Sequence, residues 1–141
     1  MAEFILDTSV AMAWCFEDEA NSYADTVLDS LTEKEALAPS IWPQEVGNVL
    51  IVAERRERIS RLDSERFLEL LQQLPITVEH LSEQRMFEAV LNLAREQDLS
   101  SYDASYLDLA MQTGLPLATL DRALQNAAKR CDVVIFQEEQ F

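Results

Sequence analysis

The sequence predicts an α/β fold in which a parallel sheet is covered by helices on both faces, and three observations carry that expectation. Short apolar runs alternate with longer stretches of helical periodicity, the pattern of successive crossovers between parallel strands. Glycine occurs only twice, at Gly47 and Gly114, too rarely for an all-β chain built on tight turns. The chain has 141 residues, 48% of them apolar, which is the size of one ordinary domain with enough hydrophobic side chains to bury a core unaided. No repeat, low-complexity tract or Pro/Gly/Ser-rich linker divides it, so residues 1–141 are expected to form a single domain.

Taken in order, Phe4-Ile5-Leu6 reads as a buried strand ending at Asp7. Residues 8–31 read as helix in two pieces, broken near Asp18-Glu19. Ala36-Leu37-Ala38 reads as a short strand stopped by Pro39. Pro43 suits the first turn of a helix, its missing N–H being unneeded there; that helix runs through Val46, Val49, Leu50, Val52 and Ala53. A further helix is expected over about 62–73, with Leu62 or Asp63 near its start. Ile76-Thr77-Val78 follows Pro75 as a strand, and Ser82-Glu83-Gln84-Arg85 opens a helix with a capping hydroxyl and a first-turn acid. Ser100 or Ser101 opens the next helix, which Gly114 closes. Leu117-Ala118-Thr119 is a strand, 122–130 a helix, and Val133-Val134-Ile135-Phe136 a last strand. The sheet is therefore expected to hold four to five strands.

Composition bounds the function. No apolar run reaches the roughly 18 residues of a membrane span, and the acidic N-terminus lacks the positive region of a signal peptide. Cys15 and Cys131 are far apart and read as reduced thiols, which suits the cytoplasm. With a single histidine, His80, there is neither a zinc site nor a Ser-His-Asp or Cys-His triad. The formal net charge of −15 argues against nucleic acid when taken alone, since phosphate contacts normally require a basic surface. Divalent cations held by carboxylates would invert the local field. The scarce positive charge is also clustered, at Arg55, Arg56, Arg58 and Arg61 with Arg66 following, which reads either as a solvated helix end or as a phosphate-contact patch.

In a parallel sheet the functional crevice lies at the carboxyl ends of the strands, so the residues just after each strand matter most. Asp7 and Asp121 sit there, although each also suits a plain helix cap. Glu45 and Asp103 lie within helical patterns, sharing faces with Val49 and Val52 and with Leu107 and Ala110. An acid on an apolar stripe is costly unless paired, protonated or metal-bound; the alternative is an acid at the stripe's edge near a helix N-terminus. Together the four supply hard oxygen ligands suited to Mg²⁺ or Mn²⁺, and paired divalent ions can drive in-line phosphoryl displacement. Of the large apolar residues, Trp14, Phe16, Ile41 and Trp42 are expected in the core, with a dimer or partner surface as the alternative. Tyr102 and Tyr106 are expected to pack.

Phe4-Ile5-Leu6-Asp7-Thr8-Ser9 resembles the opening of PIN domains, as does the first-turn acid of Pro43-Gln44-Glu45-Val46-Gly47-Asn48-Val49-Leu50. The stretch Leu99-Ser100-Ser101-Tyr102-Asp103-Ala104-Ser105-Tyr106-Leu107-Asp108-Leu109-Ala110 is similar to the most recognisable segment of the bacterial VapC toxins, and Thr119-Leu120-Asp121 with Leu124, Ala127 and Ala128 to the closing motif. The resemblance spans essentially the whole chain. It implies a three-layer α/β/α sandwich and a Mg²⁺- or Mn²⁺-dependent endoribonuclease acting on RNA. It also implies a homodimer and a small VapB-like antitoxin partner that blocks the site, often with a basic side chain. Carried over, Asp7 and Asp103 would be the principal metal ligands. Glu45 would complete the metal shell or position water, and Asp121 would be a second-shell or second-metal ligand. Ser9 and Thr119, with Thr8 the weaker candidate, would orient these carboxylates. One departure falls at Cys131-Asp132, where the family often has glycine before the last strand.

Two other enzyme or signalling classes fit less well. An aspartyl-phosphate phosphohydrolase needs a second Asp where Ser9 stands, and a receiver domain needs a lysine near the site, whereas Lys34 and Lys129 are the only lysines. The remaining alternative is a non-catalytic PIN-like module that binds a partner protein.

Overall fold

The computed structural model describes residues 1–138. Four parallel strands form one sheet: β1 (Ala2–Leu6), β2 (Glu35–Pro39), β3 (Ile76–Glu79) and β4 (Leu117–Ala118), in the order β3-β2-β1-β4. Helices α1 (Thr8–Cys15) and α2 (Ser22–Ser30), with a 3₁₀ turn at Glu17–Glu19 between them, join β1 to β2. Helices α3 (Trp42–Arg55) and α4 (Arg61–Gln73) join β2 to β3. A helical rod then leads on from β3: α5 (Glu83–Arg85), one π-helical turn at Met86–Val90, and α6 (Leu91–Gln97). After it come α7 (Ser101–Thr113), β4 and α8 (Arg122–Arg130).

The order fixes the layers. From β1 through β3 the chain steps toward one edge, then returns across the sheet to place β4 beside β1. Right-handed crossovers therefore put α1 to α4 on one face and α5 to α7 on the other, giving an α/β/α sandwich. The reversal lies between β1 and β4, and their carboxyl ends open the crevice.

Burial follows from this geometry. Phe4, Ile5 and Leu6 are sealed on both sides of the sheet, as a strand covered by helices on both faces requires. Helix α7 is buried continuously from Ala104 to Ala110 and packs on β1, β2, α6 and α8. The starts at Ser82 and Ser100 and the stop at Gly114 fall where the sequence predicts, and Asn21 and Ser60 are caps that it does not single out. Asn21, Ser60, Ser82 and Ser100 each accept a backbone N–H of the first turn, Ser60 in a reciprocal capping box with Asp63. Gly114 closes α7 at φ 69, a left-handed conformation that an L side chain adopts only with strain.

Three expectations need correction. Val133–Phe136 is not a strand: only Ile135 bridges Leu117, through Leu117 N–H to the Val134 carbonyl and Phe136 N–H to the Leu117 carbonyl, both 2.9 Å. The run is apolar because Phe136 stacks on Phe4, with ring centroids 4.0 Å apart, while Val134 points into solvent; a short apolar run does not by itself specify pairing. On α3 the inward stripe is Trp42, Val46, Leu50 and Ala53, so Glu45, Val49 and Val52 flank it rather than form it. Tyr102 does not pack inward; it is 55% exposed, whereas Tyr106 is fully buried. Of the other large apolar residues, Phe16 and Trp42 are buried, and Trp14 and Ile41 are half-buried against the core.

Candidate active site

Asp7 follows β1 at the reversal in strand order and is buried. It stands at the N-cap of α1 without capping it. Its Oδ2 instead accepts two hydroxyls, Ser9 Oγ at 2.6 Å and Thr119 Oγ1 at 2.8 Å. Each hydroxyl in turn accepts a backbone N–H from the loop after β4: Ser9 from Leu120 at 2.9 Å, Thr119 from Asp121 at 3.0 Å. A hydroxyl that accepts an N–H is free to aim its proton elsewhere, so both protons are directed at Asp7. The loop itself is pinned by Gln125, whose Nε2 donates to the Thr119 carbonyl at 2.9 Å.

Glu45, in the first turn of α3, is half-buried at the edge of the apolar stripe. Its Oε1 accepts the Tyr106 hydroxyl at 2.5 Å, and Thr8 Oγ1 lies 3.1 Å away. Thr8 Oγ1 is also 2.8 Å from the Tyr106 hydroxyl oxygen, so its one proton has two acceptors in reach. Thr8, the weaker candidate on the sequence, therefore joins the Glu45–Tyr106 pair, a longer and shared contact than the one Ser9 makes with Asp7. Sequence reasoning missed the polar part of Tyr106, expected only to pack. The available signal was a tyrosine one helical turn after Asp103, because a buried phenol needs a hydrogen-bond partner.

Asp121 caps α8, its Oδ1 accepting Leu124 N–H at 2.9 Å, so the simple capping role is real. Asp103 lies in the first turn of α7, whose N-cap is Ser100. Its carboxyl is pushed up to about 6, first by burial and then by the charges of Asp7, Asp121 and Glu45. Asp7 is also raised, chiefly by burial, against which the Ser9 and Thr119 hydrogen bonds work; Glu45 adds to the rise. The other three acids thus all act on Asp103 and Glu45 acts on Asp7, with no basic side chain among the charges acting on either. The arginine cluster lies elsewhere: Arg58 pairs with Asp18 at 2.7 Å and sits over the Phe16 ring, and Arg61 pairs with Glu65.

An α/β/α sandwich with acids gathered at its strand-order reversal defines a class of small domains built around an oxygen-rich site. The chain belongs to the PIN domain family, whose model matches residues 4–130. Among solved structures it is similar to PAE2754 from Pyrobaculum aerophilum, at 27% identity and TM-score 0.70, over 89% of this chain and 79% of that one. It is also similar to FitAcB from Neisseria gonorrhoeae, at 20% identity and TM-score 0.64, over 95% and 96% of the two chains. VapC20 of Mycobacterium tuberculosis, described as a sarcin-ricin loop cleaving toxin, matches at 16% identity and TM-score 0.63, over 89% and 95%. The last two likenesses concern the fold. No curated protein matches by sequence. The expected glycine near Cys131-Asp132 is replaced by Asp132 at φ 59, which takes up the left-handed turn that glycine would ease. Among the described residues no helix is long and apolar enough to cross a membrane.

Proposed function

We propose that this protein is a metal-dependent endoribonuclease and the toxin of a VapBC-type toxin–antitoxin pair, folded as one PIN domain over residues 1–141 and acting in the cytoplasm. The observation that carries this reading is that Asp103 feels the charges of Asp7, Asp121 and Glu45, while none of the four is paired with a basic side chain among the described residues. Buried like charges are tolerated when a cation compensates them.

The donor set fits a hard divalent ion, Mg²⁺ or Mn²⁺. One oxygen of each of three acids is already held: Asp7 Oδ2 by the Ser9 and Thr119 hydroxyls, Glu45 Oε1 by the Tyr106 hydroxyl and Asp121 Oδ1 by the Leu124 N–H. Among the described residues no three His, Cys, Asp or Glu side chains stand placed to hold a metal ion together, so the ion would have to draw these carboxylates inward. In this reading Asp7 and Asp103 are the principal ligands, Glu45 completes the shell or orients water, and Asp121 supports from the second shell or a second ion. A bound ion would supply Lewis-acid polarisation of the phosphoryl group and ease deprotonation of water. Ser9 and Thr119 fix the direction of Asp7 and oppose the rise that burial imposes on it; Thr8 and Tyr106 fix the direction of Glu45. The family and the toxin-named VapC20 among similar structures support the toxin reading. The charge of −15 suits a basic antitoxin segment as partner, and a homodimer is the expected state. The test is cleavage of mixed cellular RNA by purified protein in Mg²⁺ or Mn²⁺, abolished by EDTA. A folded protein that cuts nothing in either metal would instead be a partner-binding module.

Two further outcomes follow. Tyr106→Phe keeps the buried ring but removes the proton donated to Glu45, a bond to a charged group worth about 1.5–3 kcal/mol. It should lower kcat roughly tenfold with little change in KM; an unchanged kcat would separate Glu45 from the chemistry. The second concerns pH. Because Asp103 and Asp7 are raised, the metal-free native state binds more protons than the unfolded chain between about pH 4 and about pH 6. Stability of the metal-free protein therefore falls as pH rises through that window, and an ion competing with those protons restores it. The rise in Tm given by Mn²⁺ over EDTA should be small near pH 5 and large near pH 7. Equal rises at both would disconnect these acids from the ion.

A further inference from the structure

We infer that a groove running from Thr8 and Glu45 across Tyr102 to Phe87 binds unpaired RNA bases beside the cleaved phosphodiester, by stacking on Tyr102 and Phe87. The inference rests on the nuclease reading and adds where the substrate's affinity comes from.

Continuity is the first argument. A concavity of about 450 Å³ is lined by Thr8 and Glu45 of the carboxylate site and reaches Tyr102. A second, of about 300 Å³, reaches from Tyr102 to Phe87. The two share Ile41, Gln44 and Tyr102, so they form one path leading away from the carboxylates. Substrate whose phosphodiester lies beside Glu45 has this path open to it.

The lining is the second. No lysine or arginine lines either concavity, and the only acids are Glu45 at one end and Glu83 at the other. Tyr102 is 55% and Phe87 68% exposed, so both can receive a flat partner. Phe87 lies in the π-helical turn Met86–Val90, a local irregularity that recurs at functional sites and re-aims side chains. Gln44 and Asn48 add amides able to meet base edges.

Charge decides between contact modes. In a chain of net charge −15, with no lysine or arginine lining either concavity, phosphate contacts there add little. Base–aromatic stacking is sequence-tolerant and does not depend on that charge. It requires faces freed from a duplex, hence an unpaired segment.

Single-stranded RNA octamers carrying 2-aminopurine, with Ca²⁺ in place of Mg²⁺, provide the probe, since stacking quenches the fluorophore. Wild-type protein should quench it, with a dissociation constant that changes little with salt. Tyr102→Ala should weaken binding roughly tenfold and Phe87→Ala by a smaller factor, with Tyr102→Trp retaining it. In cleavage assays the loss should fall on KM rather than kcat. Both side chains are exposed, so the variants keep their fold. If wild type cuts RNA but both alanine variants match its KM and binding, the groove does not hold RNA, the nuclease reading stands, and the face is left for a protein partner. If wild type quenches the octamers in a Tyr102-dependent way but cuts nothing, the groove stands and the nuclease reading fails. Protein that neither binds nor cuts removes both.

Discussion

Asp7→Asn is expected to abolish metal-dependent RNA cleavage, by roughly 10³-fold or more, while leaving the protein folded. The substitution preserves shape and one amide oxygen, so Ser9 and Thr119 can still donate to the side chain. What it removes is the negative charge that a divalent ion would need at the centre of the cluster. Because burial disfavours the ionised form of Asp7, the neutral amide should not destabilise the metal-free protein, and its Tm in EDTA should match or exceed that of wild type. The rise in Tm given by Mn²⁺ should shrink with the activity. A variant that melts normally and cuts RNA as fast as wild type would remove Asp7 from the metal site.

Most of what positions this site is written locally. An apolar triplet before Asp7 sits where a strand must end, and serine caps announce α5 and α7 through the hydrogen bonds their side chains can offer free N–H groups. The strand-end rule then brings Asp7 and Asp121 to one edge, as the structure does. Less visible was anything set by two distant segments meeting. Glu45 was placed on the apolar stripe of α3, whereas the face pressed on the core lies one residue along; a mixed run such as Trp42 to Ala53 fits either register within the tolerance of a helical wheel. On α7 no stripe exists because the whole middle of the helix is enclosed, so periodicity could not say which side Asp103 faces. Thr8, Tyr106 and Glu45 join residues up to 98 positions apart, and only the fold puts them together. The final apolar run reads as a strand but is not one for the related reason that packing of Phe136 on Phe4 accounts for its hydrophobicity without a ladder.

The same contrast explains the pair that sequence reading passed over. Asp108 is 5% exposed, within the enclosed run of α7. Arg85 answers it from the other side of the seam, Nε to Oδ2 at 3.0 Å and Nη2 to Oδ1 at 2.8 Å. This two-pronged bond ties the start of the α5–α6 rod, which carries the groove wall around Phe87, to the helix that carries Asp103 and Tyr106. Removing only the cation leaves a carboxylate enclosed without a counter-charge, which costs about 3–5 kcal/mol for a fully buried pair. Arg85 is partly open to solvent, which screens the loss, so about 2–3 kcal/mol is expected for Arg85→Ala. In a chain of this length that is a fall of roughly 10 °C in Tm. Urea melts of Arg85→Ala, Asp108→Leu and the double variant separate the causes. The double variant should recover stability relative to Arg85→Ala, because it removes the stranded charge and leaves an apolar side chain in the enclosed seam. If Arg85→Ala melts at the wild-type midpoint, water reaches Asp108 and the seam is held by its apolar contacts alone.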